Sequence, residues 1–298
     1  MTSAVSAVAP PRRRTGVGRS AVLGGGGGSR LFTTLCAVVL LIFAAIWAIP
    51  LLWALDTSFR PESEINTHPT SWWTSHPTLS AYHYIFANSD LATWYLNSFI
   101  TATVTMILTV VVCSMAGFAL SRTRMAGRRA LMTLLVAGIL IPGQVLILPS
   151  FQEFNAFSLL NTYWAIILPA IATPVAVLIF AAFFSGIPAD LVDAARVDGA
   201  SWLRIYTTVF IPLSRPAVSA VAIFTFVWTW NGFLWPLLVL TSTKLMTIPV
   251  GLASVQSAYG IIYGQVMASA VMGAAPLVVV FLFFQRRIVE GMSTTGIK

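Results

Sequence analysis

RLFTTLCAVVLLIFAAIWAIPLLWALD, residues 30 to 56, holds no ionisable side chain between Arg30 and Asp56. As an α-helix, those 25 interior residues rise about 1.5 Å each and reach about 37 Å, more than the ~30 Å hydrocarbon core of a bilayer. The stretch reads as a membrane-spanning helix with some tilt. Similar charge-free runs lie between Asp90 and Arg122, Arg129 and Glu153, Glu153 and Asp190, Arg215 and Lys244, and Lys244 and Arg286. Six spans are therefore expected in an all-α membrane protein, near residues 31 to 55, 95 to 120, 130 to 149, 162 to 184, 216 to 240 and 265 to 285. Composition supports that class. The chain is 57% hydrophobic and 9% charged, with a mean hydropathy of +0.85, whereas soluble domains carry roughly 25% charged residues. A secretory signal has an apolar region of only about 7 to 15 residues and a small-residue cleavage site. The first run is longer and lacks that site, so it is expected to stay as span one.

Orientation follows from Lys and Arg, because short basic loops stay cytoplasmic. Arg12, Arg13, Arg14, Arg19 and Arg30 precede span one, and Arg122, Arg124, Arg128 and Arg129 lie between spans two and three. Arg196, Arg204 and Arg215 lie between spans four and five, and Arg286, Arg287 and Lys298 follow span six. Only Arg60 and Lys244 fall on the other side. Both termini are thus expected in the cytoplasm of a multi-pass protein of the cell (cytoplasmic) membrane. The net charge of +8 records this asymmetry and contact with anionic lipid, not nucleic-acid binding. Trp53, Trp94 and Trp164 are expected at the outer membrane interface.

Residues 1 to 30, with three consecutive arginines and the run Gly24 to Gly28, cannot bury an apolar face and read as a flexible basic tail. Residues 31 to 298 form the membrane domain. Cys36 and Cys113 lie inside expected spans and behave as small apolar residues. The outer loop from Asp56 to Ala92 carries His68, His76 and His83, whose spacing matches no metal-ligand pattern, so it reads as a solvated loop without a metal site. Phosphate-loop, zinc-protease and nucleophile-elbow motifs are absent from the sequence, which excludes ATP hydrolysis by this chain and gives no enzyme reading. No span has an ionisable residue near its centre, where each costs about 2.5 to 3.5 kcal/mol; that argues against proton-coupled transport.

One cytoplasmic stretch differs from the rest: DLVDAARVDGASWLRIYTTVFIPLSRP, residues 190 to 216, within the loop 185 to 215. Pro188 suits a first helical turn, Asp190 and Asp193 suit the positive N-terminal end, and Gly199 ends the helix. Ser201 suits the cap of a second short helix bearing Trp202, Ile205 and Val209, until Pro212 and Pro216 turn the chain into span five. Two short helices tied to spans at both ends make a lever at the membrane surface.

At these residues the chain resembles the membrane permeases of binding-protein-dependent ABC importers. Their loop signature is E-A-A, three residues, G, nine residues, then I-x-L-P, matched here by Asp193, Ala194, Ala195, Gly199, Val209, Ile211 and Pro212. Asp193, Val209 and Ile211 depart from the signature conservatively. The likeness extends to the MalG-like permeases of carbohydrate importers over residues 31 to 298. It rests on LNSFITA at Leu96, FALSRTRMAGRR ending at Arg129, IPGQVLILP at Ile141, LLNTYWAIILP at Leu159, FVWTWNGFLWPL at Phe226 and RRIVEGMSTTGIK at the C-terminus.

The resemblance implies a type I ABC importer permease fold. It implies that Leu191, Asp193, Ala194, Ala195, Asp198, Gly199 and Pro212 couple the chain to separate ATP-binding subunits. ATP and Mg would sit on those partners, with no cofactor on this chain. It further implies a second related permease, an extracytoplasmic sugar-binding protein and import of a sugar or sugar derivative. The alternative class is an ATP-independent secondary carrier or facilitator. For the sugar path, Trp228, Trp230 and Asn231 offer aromatic faces and an amide suited to a polyol, and equally suited to joining helices. Asn97, with Thr101, Thr105, Thr109 and Cys113 at intervals of four, forms a ridge that reads as packing or pathway. Pro142, Gly143, Pro149, Pro169 and Pro174 are expected to interrupt spans three and four.

Overall fold

The computed structural model describes residues 30–74, 76–123, 125–255 and 261–293. The tail expected over residues 1 to 30 lies outside them, apart from Arg30. The chain divides after Leu52 into two units. The first is the N-terminal part of helix α1 (Arg30–Ser58), which continues through Pro50.

The second unit, from Trp53 onward, begins with the end of α1 and two short helices, α2 (Glu62–Thr67) and α3 (Ser80–Ala87). The long α4 (Leu91–Arg122) follows, then α5 (Arg128–Ile139), α6 (Ile147–Ala156), α7 (Tyr163–Ile171) and α8 (Pro174–Ser185). Next come α9 (Ala189–Val197), α10 (Trp202–Ile205), α11 (Ile211–Leu213) and α12 (Arg215–Trp230). The described chain ends with α13 (Leu234–Val239), α14 (Ile248–Ser254) and α15 (Tyr263–Ser293).

Phe32–Ser58, Leu91–Arg122 and Tyr263–Phe283 are each long and apolar enough to cross a bilayer. Three further apolar segments pass that test only as bent pairs. α5 meets the segment Gly143–Ala156 at 93°, α7 meets α8 at 42°, and Trp202–Leu213 meets α12 at 81°. The first two breaks have a local cause in proline. Pro142 has no N–H and disfavours helical backbone at Ile141, and Pro174 does the same at Thr173. The run expected as one span over 216 to 240 is not one helix. α12 stops at Trp230, Asn231 and Gly232 break it, and α13 starts again at Leu234. An Asn-Gly pair is a strong helix stop.

α4 organises the second unit. Its 32 residues span about 48 Å, more than the hydrocarbon core. Around its C-terminal half, Cys113, Phe118 and Leu120 pack with Val177, Phe180 and Phe184 of α8 and with Ile205, Tyr206 and Phe210. Around its N-terminal end, Leu91 and Trp94 pack with α3, α14 and α15 through Ala81, Ile85, Ile248, Leu252, Ala268 and Met272. At Gly117 an added Cβ would stand 2.6 Å from Phe180 Cβ and 2.9 Å from Ala181 N. The backbones of α4 and α8 therefore meet as small residues allow inside membranes.

The ridge from Asn97 to Cys113 is buried throughout. Where Pro174 interrupts the α7–α8 pair, carbonyls lose their helical donors. Thr109 Oγ1 donates to Ala170 O at 3.2 Å, and Cys113 Sγ donates to Ile171 O at 3.3 Å.

Two expectations change. Trp94 does not face outward as a belt residue would. It is 3% exposed, and its Nε1 donates to Thr243 O at 2.8 Å. The segment after Asp56 is not merely a solvated loop. Its α2 and α3 bury Ile65, Ala81 and Ile85, and Arg60 is buried, donating to Ser71 O at 2.8 Å and His68 O at 3.0 Å. Glu62 in turn accepts the backbone N–H groups of Tyr263 and Gly264, each at 3.0 Å, at the start of α15.

Candidate functional site

α9 hangs between α8 and α10 beside the C-terminal end of α4. Pro188 stands at its N-cap with extended backbone, and Asp190 lies in its first turn, where the helix dipole favours an anion. Its C-terminus is closed by Gly199, at φ +76°. The Gly199 N–H bonds Arg196 O at 3.0 Å, and the Ala200 N–H bonds Ala195 O at 2.9 Å. This 5→2 and 6→1 pair is a Schellman closure, which needs a left-handed residue at Gly199. Among the described residues, no atom beyond its chain neighbours lies within 4 Å of a Cβ built there. The backbone conformation therefore calls for glycine there, as the helix-ending role expected from the sequence requires.

Val192 is the inward anchor of α9, 8% exposed and part of the core around Phe118. The opposite side is open. Leu191 is 44% and Val197 87% exposed, and Asp193, Ala194 and Asp198 are exposed as well. Leu191, Ala194 and Val197 thus form an apolar stripe, flanked by carboxylates, that nothing among the described residues covers.

Beyond Gly199, the Ser201 side chain accepts the Arg204 N–H at 3.3 Å and caps α10. The helix widens to a π turn over Tyr206–Phe210, which turns both Tyr206 and Phe210 into the core. Pro212 lies in α11, and the 81° bend follows at Ser214.

The four residues singled out for a path separate into two pairs. Trp228 and Asn231 are exposed and share a concavity of about 340 Å³ with Phe224, Val227, Gly232 and Phe233. Trp228 stacks on Phe224 with ring centroids 6.0 Å apart. Asn231 Nδ2 donates to Val227 O at 2.8 Å, which leaves its carbonyl oxygen without a protein donor among the described residues.

Trp230 and Asn97 are not part of that concavity. Trp230 is 4% exposed, stacks on Phe226 and donates from Nε1 to Gly273 O at 3.3 Å. Asn97 is 1% exposed. Its Nδ2 donates to Lys244 O at 2.9 Å and Met246 O at 2.8 Å, and its Oδ1 accepts from Tyr163 Oη at 2.6 Å. Both join helices, because their polar atoms are already engaged within the protein.

The sequence reading missed Arg122. Its Nη2 donates to Phe184 O and Ile187 O, and its guanidinium lies 5.1 Å from the Phe210 ring centre. In the sequence it registers only as one of the charges that fix orientation.

With a long central helix, broken neighbours and an exposed short helix at one end, the chain has the fold of known importer membrane subunits. It superposes on a chain of a bacterial ABC transporter that imports the acidic polysaccharide alginate. The TM-score is 0.76 at 21% identity, covering 88% of this chain and 98% of that one. A model of the family described as binding-protein-dependent transport system inner membrane component matches residues 114–294, and the chain belongs to that family. Among its relatives, an arabinooligosaccharides transport system permease protein, AraQ, of Halalkalibacterium halodurans is 39% identical over 86% of this chain and 92% of its own length. The trehalose/maltose transport system permease protein MalG of Thermococcus litoralis is 33% identical over 87% of this chain and 94% of its own length. The sulfoquinovosyl glycerol transport system permease protein SmoH of Agrobacterium fabrum is 33% identical over 84% and 88%.

Proposed function

We propose that this chain, a membrane permease subunit of a sugar ABC importer, pairs with a second related permease around one translocation path. It is not itself an enzyme. Separate ATP-binding subunits, carrying ATP and Mg, dock on α9 and drive the cycle. An extracytoplasmic binding protein delivers the sugar. The chain crosses the cytoplasmic membrane six times with both termini inside; α5 with Gly143–Ala156 completes one crossing, α7 with α8 another, and α12 with α13 the fifth.

The observation that carries the docking role is the uncovered stripe Leu191, Ala194 and Val197 beside Asp193 and Asp198. An apolar stripe on a short surface helix is costly in water and gains from a partner's groove. The basic residues support the orientation. Arg122 lies at the α9 end of α4, and Lys244 lies against the other end through Asn97. Trp228 and Asn231 are the path residues that remain available. An indole face suits the C–H face of a sugar ring, and a free amide oxygen suits a hydroxyl. A neutral sugar is the preferred cargo, because no ionisable side chain sits among the residues lining that concavity.

The test is a mild-detergent purification of the tagged chain with its genomic neighbours, followed by ATPase measurements against a panel of sugars. Recovery of an ATP-binding subunit and a second permease, with hydrolysis stimulated by one sugar through its binding protein, is the expected result. A folded chain that never retains an ATP-binding subunit would refute the docking assignment.

A further inference from the structure

We infer that Arg122 is a positioning residue that makes α9 move as one body with α4, so that displacement of the docking helix reaches the membrane-crossing helices. The inference deepens the docking role proposed for α9 and rests on it. Arg122 is the last residue of α4. Its Nη2 donates to the carbonyls of Phe184 and Ile187, at and just beyond the C-terminal end of α8. That is the segment leading into α9. Its guanidinium also lies 5.1 Å from the ring centre of Phe210, in the segment leading out of α9. One side chain therefore holds both arms of the loop.

The chemistry suits arginine. Helix C-termini present unsatisfied carbonyls and partial negative charge. A guanidinium can donate in its plane while its face rests on an aromatic ring, which an ammonium does less well. The same stripe of α4 repeats the arrangement at intervals of four residues. Phe118 has ring centres 6.3 Å from Phe184, 4.8 Å from Phe210 and 6.2 Å from Trp202. Trp202 in turn carries the Arg196 guanidinium of α9 at 5.2 Å. Ser114 bonds Tyr206 Oη at 2.7 Å. Ser114, Phe118 and Arg122 thus tie α8, α9, α10 and the π turn to one face of α4.

The experiment uses the complete importer in lipid nanodiscs, with Cys36→Ser and Cys113→Ser and spin labels at Leu96→Cys and Ala189→Cys. Both label sites are exposed, one near the N-terminal end of α4 and one at the start of α9, outside the docking stripe. With Arg122 present, the label-to-label distance is expected to be the same without nucleotide and with ATP trapped. In Arg122→Ala it is expected to broaden or shift on trapping. There the ATP-binding subunits stay attached and unstimulated hydrolysis persists, but sugar-stimulated hydrolysis and uptake are lost. Arg122→Lys should recover part of the stimulation. If Arg122→Ala fails to assemble, Trp202→Leu, which removes only the ring link to α9, is expected to broaden the distance instead. A distance that shifts with Arg122 intact, or full stimulated uptake and an unchanged distance in Arg122→Ala, would overturn the inference. Failure of the unaltered chain to hold ATP-binding subunits would instead overturn the docking role of α9 and take this inference with it.

Discussion

Gly199 shows what a signature residue does for the backbone. Its role in ending an acidic, alanine-rich helix was legible in the sequence, and the structure adds the conformation, a left-handed backbone with open space around it among the described residues. A left-handed residue other than glycine costs about 1–2 kcal/mol, and Asn tolerates that region best. Gly199→Val is therefore expected to destabilise the α9 closure by about that amount and to depress sugar-stimulated ATPase. Gly199→Asn should stay near the unaltered protein in both readouts. An Asn variant as impaired as the Val variant would instead assign the residue to close seating against the partner. Trp228 and Trp230 make a second contrast, two residues apart and opposite in environment. Trp228→Ala with Asn231→Ala should raise the sugar concentration needed for half-maximal uptake without lowering thermal stability. Trp230→Ala removes a buried ring and should cost about 3 kcal/mol of stability. Normal uptake by the folded Trp228/Asn231 double variant would remove both from the path. Nothing in the sequence distinguished the two tryptophans, because the face each presents depends on where α12 touches α4 and α15.

Among the elements, the unbroken helices were easiest to read. α1, α4 and α15 each contain a long charge-free run, and length alone identifies them. The bent pairs were less legible, because an apolar run reports environment and not direction. Pro142 and Pro174 marked where breaks fall but not whether the chain turns by 42° or 93°. The early stop of α12 had a signal in Asn231-Gly232, which a hydropathy window passes over. The polar ridge of α4 was visible by its interval of four, but its purpose needed the structure. Thr109 and Cys113 supply donors to carbonyls that the Pro174 break leaves open. Hydrogen bonds of this kind within membranes average about 0.6 kcal/mol. Thr109→Val is expected to lower stability by about that much, with little change in uptake, as a denaturant titration in mixed micelles can show. Gly251→Ala should be far worse, since its Cβ would stand 2.2 Å from Trp94 Cδ2. The ring would have to leave its bond to Thr243 O, and the loss should appear as red-shifted tryptophan fluorescence with reduced stability. An unchanged spectrum and melting midpoint would show that the α4–α14 contact is looser than described.

For the molecule as a whole, the two ends of α4 are chemically unlike. One end meets Arg122, α9 and the basic loops. The other meets α3, α14 and the Thr243–Met246 segment held by Trp94 and Asn97. Accessibility labelling of single cysteines at Ala189 and Thr243, both exposed, in intact cells and in inside-out vesicles, is expected to report opposite sides of the membrane. Labelling of both from the same side would refute the proposed topology. The 81° corner at Ser214 also has a mechanical meaning. If α4 holds one limb rigidly, the Trp202–Trp230 segment is a right-angled bracket rather than a hinge. The longer limb, Arg215–Trp230, has 16 residues and is about 24 Å long. Tipping such a bracket by roughly 10° about its corner sweeps its far end sideways by about 4 Å. A gentle rocking at the membrane surface would then become lateral travel at Trp228, comparable to the thickness of one sugar ring.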